Sequence, residues 1–237
     1  MRIEEMSSVD FAKAVKKGPV VILPFGAVEA HGEHLPLGTD SFQPMYVADE
    51  VARRIGGLVA PIVAYGQHSS TRRMPGTLGI RMETLKAVAI DVVSSLYDQG
   101  IRKVVILTGH AGTVHMAALK SAGEELVWKY EDLQLMVLSD YDYAFKMKDE
   151  LCGEEDDGHG GIIETSRVLA LRPELVKKKR RRGCATSPNF MVVRHPERFY
   201  PDCFVGDAAK ASAEKGKKVN DFVVEKLTAA IKMNFGV

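Results

Sequence analysis

The chain's 237 residues carry 32 lysines and arginines against 31 aspartates and glutamates, so no net field draws the molecule onto nucleic acid or an anionic membrane. That length suffices for a buried α/β core in one domain, expected to span 1–237, and no apolar run approaches the ~18 residues of a membrane span. The polar start MRIEEMSSVDFAKAVKKG is unlike a signal peptide, and Cys152, Cys184 and Cys203 are too scattered for a CxxC site, so the expectation is a cytoplasmic protein with reduced thiols and a small molecule or another subunit as partner.

In chain order, Val20–Leu23 reads as a buried strand, because it is β-branched-rich without polar alternation. Met45–Ile55 has helical spacing and stops at Gly56-Gly57; Leu58–Val63 reads as the next strand. Leu85–Tyr97, ending near Gly100, is a helix, Val104–Leu107 a strand, Val114–Trp128 a helix and Leu133–Leu138 a strand. Strand and helix alternate, which predicts a mostly parallel sheet covered by helices. Beyond it, helices are predicted at Ile162–Leu171 and Ala208–Met233, the latter from the spacing of Val219, Phe222, Val223, Leu227, Ala230 and Ile231. The run Lys177–Arg182, KKKRRR, reads as a solvated turn, with anion binding as its alternative.

Three segments carry candidate chemistry. GAVEAHGEHLPLGTD, residues 26–40, leaves the first strand with Glu29, His31, Glu33, His34 and Asp40 within a dozen residues. Ligands bind beyond the carboxyl ends of strands in open α/β sheets, and residues two apart on extended backbone, such as Glu29 and His31, point to one side. Mixed carboxylates and imidazoles suit zinc, manganese or iron(II), where calcium and magnesium favour oxygen alone. Asp40 is equally a natural helix cap; Glu33 reads as solvated and His34 as a support that orients a ligand. TGHAGT, residues 108–113, leaves a second strand with His110 between small residues, and His115 packs on the helix that follows. HGGIIETS, residues 159–166, offers His159, suited to protonating a departing nitrogen, and Glu164 in a first helical turn.

Taken together and in this order, the three segments resemble the creatininase (creatinine amidohydrolase) family, which reads GSxEQHGxHLPLxTD, NGHGGN and HAGxxETS. Tyr65-Gly66, His68 and Pro75-Gly76-Thr77 add to the likeness, as do Gly206-Asp207, Ala211 and Glu214-Lys215-Gly216, so that it covers almost the whole chain. The resemblance implies a three-layer α/β/α fold, hexameric assembly and two divalent metals (Zn, Mn or Fe) bridged by Asp40 and water. It further implies that Glu29, His31, Asp40, His110 and Glu164 are metal ligands and His159 the catalytic histidine. Two departures stand out: Gly112 replaces the glutamate that binds the second metal in creatininase, so another ligand is needed there, and the only tryptophan, Trp128, lies in a predicted helix. Creatinine is therefore not the expected substrate.

The function implied is a metal-dependent hydrolase of a non-peptide amide, cyclic amide or formamide. No GxSxG elbow suggests a serine nucleophile instead. Three alternatives stand beside it: a deformylase of a formylamino-pyrimidine ribose phosphate, which would use Lys177–Arg182; an enzyme that trims a peptide-derived redox cofactor precursor; and a non-catalytic, metal-stabilised binding protein.

Overall fold

A computed structural model describes all 237 residues. Its central sheet has four parallel strands, β1 (Val20–Phe25), β2 (Leu58–Val59), β3 (Lys103–Thr108) and β4 (Gln134–Ser139), in the order β2-β1-β3-β4. Alternation along β1 divides the core. Val20 and Ile22 face a layer built by α2 (Thr39–Ile55) and α8 (Ala213–Phe235), with Val47, Val51, Val219, Val223 and Leu227. Val21, Leu23 and Phe25 face α3 (Met82–Asp98) and α4 (Thr113–Lys129), with Leu85, Ala89, Val93, Leu119 and Ala122. The short helix α1 (Ser8–Val15) joins that second layer through Phe11 and Ala14. The result is the three-layer α/β/α arrangement expected, with a fully parallel sheet.

The strand predicted at Leu58–Val63 is shortened to two residues for a physical reason. Pro61 has no N–H to give, and Pro24 in the neighbouring β1 has none either. The ladder lapses there and resumes as the isolated Phe25–Val63 bridge, with Val63 N–H donating to the Pro24 carbonyl at 3.0 Å. Helix α2 begins six residues before the predicted Met45, and Gly56 (φ 66°) provides its left-handed stop. The last helix begins at Ala213 because the Ser212 hydroxyl caps it by accepting from Lys215 N–H; Ala208–Lys210 is a separate 3-10 turn.

After β4 come two short helices, α5 (Tyr141–Ala144) and α6 (Lys148–Cys152), and then α7 (Ile162–Leu171), which packs on α8. A small antiparallel pair, β5 (Arg182–Gly183) with β6 (Gly206–Asp207), closes the base of the segment between them. No helix is long and apolar enough to cross a membrane.

Leaving β1, the chain turns to one side for β2 and then to the other for β3. The reversal of direction opens a crevice at the carboxyl ends of β1 and β3, where an open α/β sheet binds its ligand. Gly26–Asp40 emerges from the first of these ends and Gly109-His110 from the second.

Candidate metal centre

Four elements deliver side chains to that crevice. The loop after β1 brings Glu29 and His31, the first turn of α2 brings Asp40, the loop after β3 brings His110, and the entry to α7 brings His159 and Glu164. Glu29, His31, Asp40, His110 and Glu164 are each at most 7% exposed. Close approach is built into the backbone: a Cβ at Gly109 would collide with the Asp40 carbonyl oxygen and with Pro44. Asp40 does not cap its helix, since Gly38 occupies that position. Its carboxylate turns inward instead.

Asp40 faces two imidazoles. Its Oδ1 stands 3.0 Å from His31 Nε2, and its Oδ2 stands 3.0 Å from His110 Nδ1. Glu164 Oε1 approaches His31 Nε2 at 3.6 Å, and Glu29 Oε2 approaches His110 Nδ1 at 2.9 Å. Two half-sites therefore share one carboxylate.

The protons on these rings decide what the half-sites accept. His31 Nδ1–H donates to the Glu29 carbonyl at 3.0 Å, and His110 Nε2–H donates to the Gln67 carbonyl at 3.0 Å. Each neutral ring thus has its proton fixed on the outer nitrogen and its lone pair directed at carboxylate oxygens. Lone pairs facing lone pairs repel unless a cation lies between them. Consistent with that need, Glu29 Oε2 and Asp40 Oδ2 are buried and make no aligned hydrogen bond. With only protons to serve as the cation, burial works to lower both histidines, but the carboxylates prevail. His110 is pushed up to about 10 by Glu29 and Asp40, and His31 rises well above its ordinary value beside Asp40 and Glu164. Burial would raise the Glu29 and Glu164 carboxyls, yet the facing histidines hold both well below the usual carboxylate range. The donors fit divalent cations: Glu29–His68–His110 and His31–Asp40–Glu164 each gather three ligand atoms within 4.8 Å of one another.

Supporting contacts fix the carboxylates. Tyr141 Oη donates to Glu164 Oε1 at 2.6 Å, Gly160 N–H donates to Glu164 Oε2, and the Thr71 hydroxyl donates to Glu29 Oε1. Arg167 on α7 and Asp140 at the end of β4 form a wholly buried pair at 2.6 Å, which ties Tyr141 to the helix carrying Glu164. His34, lowered by burial to about 4 and so neutral, donates to the Gly160 carbonyl at 3.0 Å. His115 is lowered by burial to about 2 and sits edge-on to His110 at 4.9 Å. Glu33 is exposed and pairs with Arg181. The placements of His115 and Glu33 match the packing and solvated roles read for them, while His34 holds the backbone at Gly160 and the Thr165 hydroxyl rather than a ligand side chain.

His159 stacks on His31 with ring centroids 4.0 Å apart, its Nε2–H donates to the Ala30 carbonyl at 2.9 Å, and it lines a cavity of about 450 Å³. Glu29, His110, Glu164 and Tyr141 form part of that cavity's floor, and Pro188, Val193, Phe199 and Tyr200 part of its roof. The sequence reading left out His68, Thr71 and Tyr141 as site residues, and it named none of the roof. Of these only His68 carried a local signal, through its place beside Tyr65-Gly66. The run Lys177–Arg182 lies outside the cavity, with Arg180 donating to the Ala208 carbonyl, Arg181 paired with Asp202 as well as Glu33, and Arg182 with Glu155. Trp128 is 89% exposed on α4 and also stands apart.

A sheet of this topology, with paired carboxylate–imidazole half-sites at its switch point, defines a three-layer α/β/α protein with a candidate divalent-metal centre where such sheets bind their ligands. The chain belongs to the creatininase family: the family model, described as creatinine amidohydrolase, matches residues 4–231. It is 30% identical to the creatinine amidohydrolase of Pseudomonas putida over 98% of this chain and 96% of that protein. It is 28% identical to the mycofactocin precursor peptide peptidase of Mycobacterium ulcerans over 85% of this chain and 80% of that one. A crystal structure of creatininase superposes with a TM-score of 0.91 at 29% identity, covering 99% and 97% of the two chains. Zn–Zn and Mn forms of creatininase superpose with TM-scores of 0.88, each at 29% identity and covering 99% of this chain and 98% of the other. The chain is thus a member of an amidohydrolase family, and its donor groups fit divalent ions of the kind that the Zn–Zn and Mn forms of creatininase carry.

Proposed function

We propose that the chain hydrolyses a non-peptide carbon–nitrogen bond in a small molecule other than creatinine, with two cations per chain sharing Asp40. The observation that carries this reading is the Asp40 carboxylate, whose two oxygens each stand 3.0 Å from a histidine ring nitrogen. Glu29, His110 and Asp40 would hold one cation, and His31, Glu164 and Asp40 the other. Divalent cations bound there supply Lewis acidity, which makes water nucleophilic near neutral pH and polarises a carbonyl.

The chain's own groups supply the rest. His159, on the cavity side of the floor, protonates the departing nitrogen. Tyr141 and Gly160 hold the Glu164 carboxylate in its orientation. The roof excludes water and selects the substrate, and a cavity of about 450 Å³ suits a small ligand. No lysine or arginine lines the cavity. That favours an uncharged amide, lactam or formamide over a ribose phosphate, whose binding by Lys177–Arg182 finds no support in their placement. The peptide-trimming reading is less favoured because the cavity is small. We also place the chain in a homo-oligomer, a hexamer by family likeness. The exposed Phe190, Met191 and Val192 offer apolar surface for such contacts.

The test is a panel of amides, lactams and formamides assayed with the metal-loaded and the chelated protein. Turnover lost on chelation and regained with Zn²⁺ or Mn²⁺ is expected. Turnover indifferent to chelation, or none across the panel with two metals bound, would sink the reading.

A further inference from the structure

The loop after β3 gives one imidazole, His110, and then only Ala111, Gly112 and Thr113, with no further carboxylate or imidazole. Gly112 is held so close that a Cβ there would lie 2.5 Å from His110 Nε2. No longer side chain fits at position 112 with His110 in its present pose. Any protein ligand that the half-site of Glu29, His110 and Asp40 gains must come from another direction.

His68 approaches from that direction. It is 5% exposed, its Nδ1 lies 3.4 Å from Glu29 Oε1, and its ring centroid is 5.0 Å from that of His110. Neither ring nitrogen makes an aligned hydrogen bond. A buried imidazole with both nitrogens unpaired is costly unless one of them meets a ligand. One ligand atom each from Glu29, His68 and His110 lies within 4.8 Å of the other two, close enough to share one cation. The preceding residue fixes this placement. Gln67 N–H donates to His115 Nδ1 at 3.3 Å, and its carbonyl accepts from His110 Nε2 at 3.0 Å. With the Gln67 backbone held at both its N–H and its carbonyl, the next side chain is directed onto Glu29. Gly79 gives the ring its space, since a Cβ there would stand 2.8 Å from His68 Cδ2.

We infer that His68 is a protein ligand of the cation held by Glu29 and His110, so that this half of the centre has two imidazoles and the half built on His31 and Glu164 has one. The inference rests on the two-cation reading above. It also predicts an order of preference: the nitrogen-richer half favours Zn²⁺ or Co²⁺, and the oxygen-richer half accepts Mn²⁺ more readily.

The test uses Co²⁺ as probe on the full-length protein stripped of metal. X-ray absorption of the wild type loaded with two Co²⁺ should count three imidazoles (His31, His68 and His110) for every two ions. His68→Ala should bind one of the two Co²⁺ at least ~100-fold more weakly, beyond the ~10–100-fold range of a residue that merely orients a ligand. Added imidazole should restore both the affinity and the visible absorption of that ion. Two imidazoles per two ions in the wild type overturns the inference. So does a His68→Ala protein that keeps both ions within ~10-fold of the wild type and with unchanged absorption. If the variant does not fold, the wild-type imidazole count decides alone. A wild type that takes up no Co²⁺ removes the two-cation reading together with this one.

Discussion

The floor and the roof of the cavity are built on opposite principles. In the floor, Glu29 is 3%, His31 0% and Asp40 1% exposed, and the outer nitrogens of His31 and His110 and the carboxylate of Glu164 have fixed partners. The roof, drawn from residues 185–200, is mostly exposed and has few ties, among them Thr186 N–H to the Phe199 carbonyl at 2.8 Å and Arg73 to His195 at 3.2 Å. Asn189 (φ 48°) and Phe190 (φ 68°) hold backbone conformations that residues other than glycine seldom adopt. A preorganised floor fixes the reaction, and a loosely tied roof leaves the substrate to be set by its side chains.

Substitutions should separate the two regions by size and kind of effect. The largest is expected from Asp40→Asn, which weakens both half-sites and should lower kcat/KM at least ~10⁴-fold together with metal content. His159→Asn should lower kcat by ~10²-fold or more while metal analysis stays at the wild-type value. Loss of metal in that variant would move His159 from proton transfer to ligation. Tyr141→Phe should cost ~10–100-fold in activity or metal affinity, because Glu164 loses its 2.6 Å donor. The smallest is expected in the roof, where Phe199→Ala should raise KM by roughly tenfold or less with kcat nearly unchanged. A roof variant that lost metal would break the division.

The floor should also set how stability depends on pH. In the metal-free protein His110 is raised to about 10, above its unfolded value of 6.5. Its contribution is therefore complete below pH 6.5 and lost as pH rises through about 10. Glu29 and Glu164 are depressed, so theirs is present above the ordinary carboxylate range and lost in acid. The Tm of metal-free protein should fall between pH 7 and 10, and the loaded protein should keep its Tm over that range, since metal replaces the proton on His110. Equal slopes for the two forms would contradict this account of the floor.

Much of this was legible in the sequence because it is local. β1, β3 and β4 are continuous apolar runs, and the segments GAVEAHGEHLPLGTD, TGHAGT and HGGIIETS follow strand ends or open a helix. What escaped is set by tertiary approach. The first turn of α2 buries Thr39, Asp40 and Gln43, polar residues that hide it from apolar periodicity. β2 is cut short because Pro61, and Pro24 in the neighbouring β1, have no N–H for the ladder, a conflict visible only once the strands are paired. Tyr141 and His68 reach Glu164 and Glu29 across 23 and 39 residues of chain, from segments without a metal-ligand motif of their own. The roof left no signal, since exposed loop residues have no periodicity to read.

The central claim is that Asp40 serves two cations at once, and metal counting on the wild type and on Asp40→Ala tests it most directly. After equilibrium dialysis against micromolar Zn²⁺ and elemental analysis, the wild type should retain two ions per chain and the Asp40→Ala variant fewer than one. A folded Asp40→Ala protein that still held two ions would contradict the shared carboxylate and the mechanism built on it.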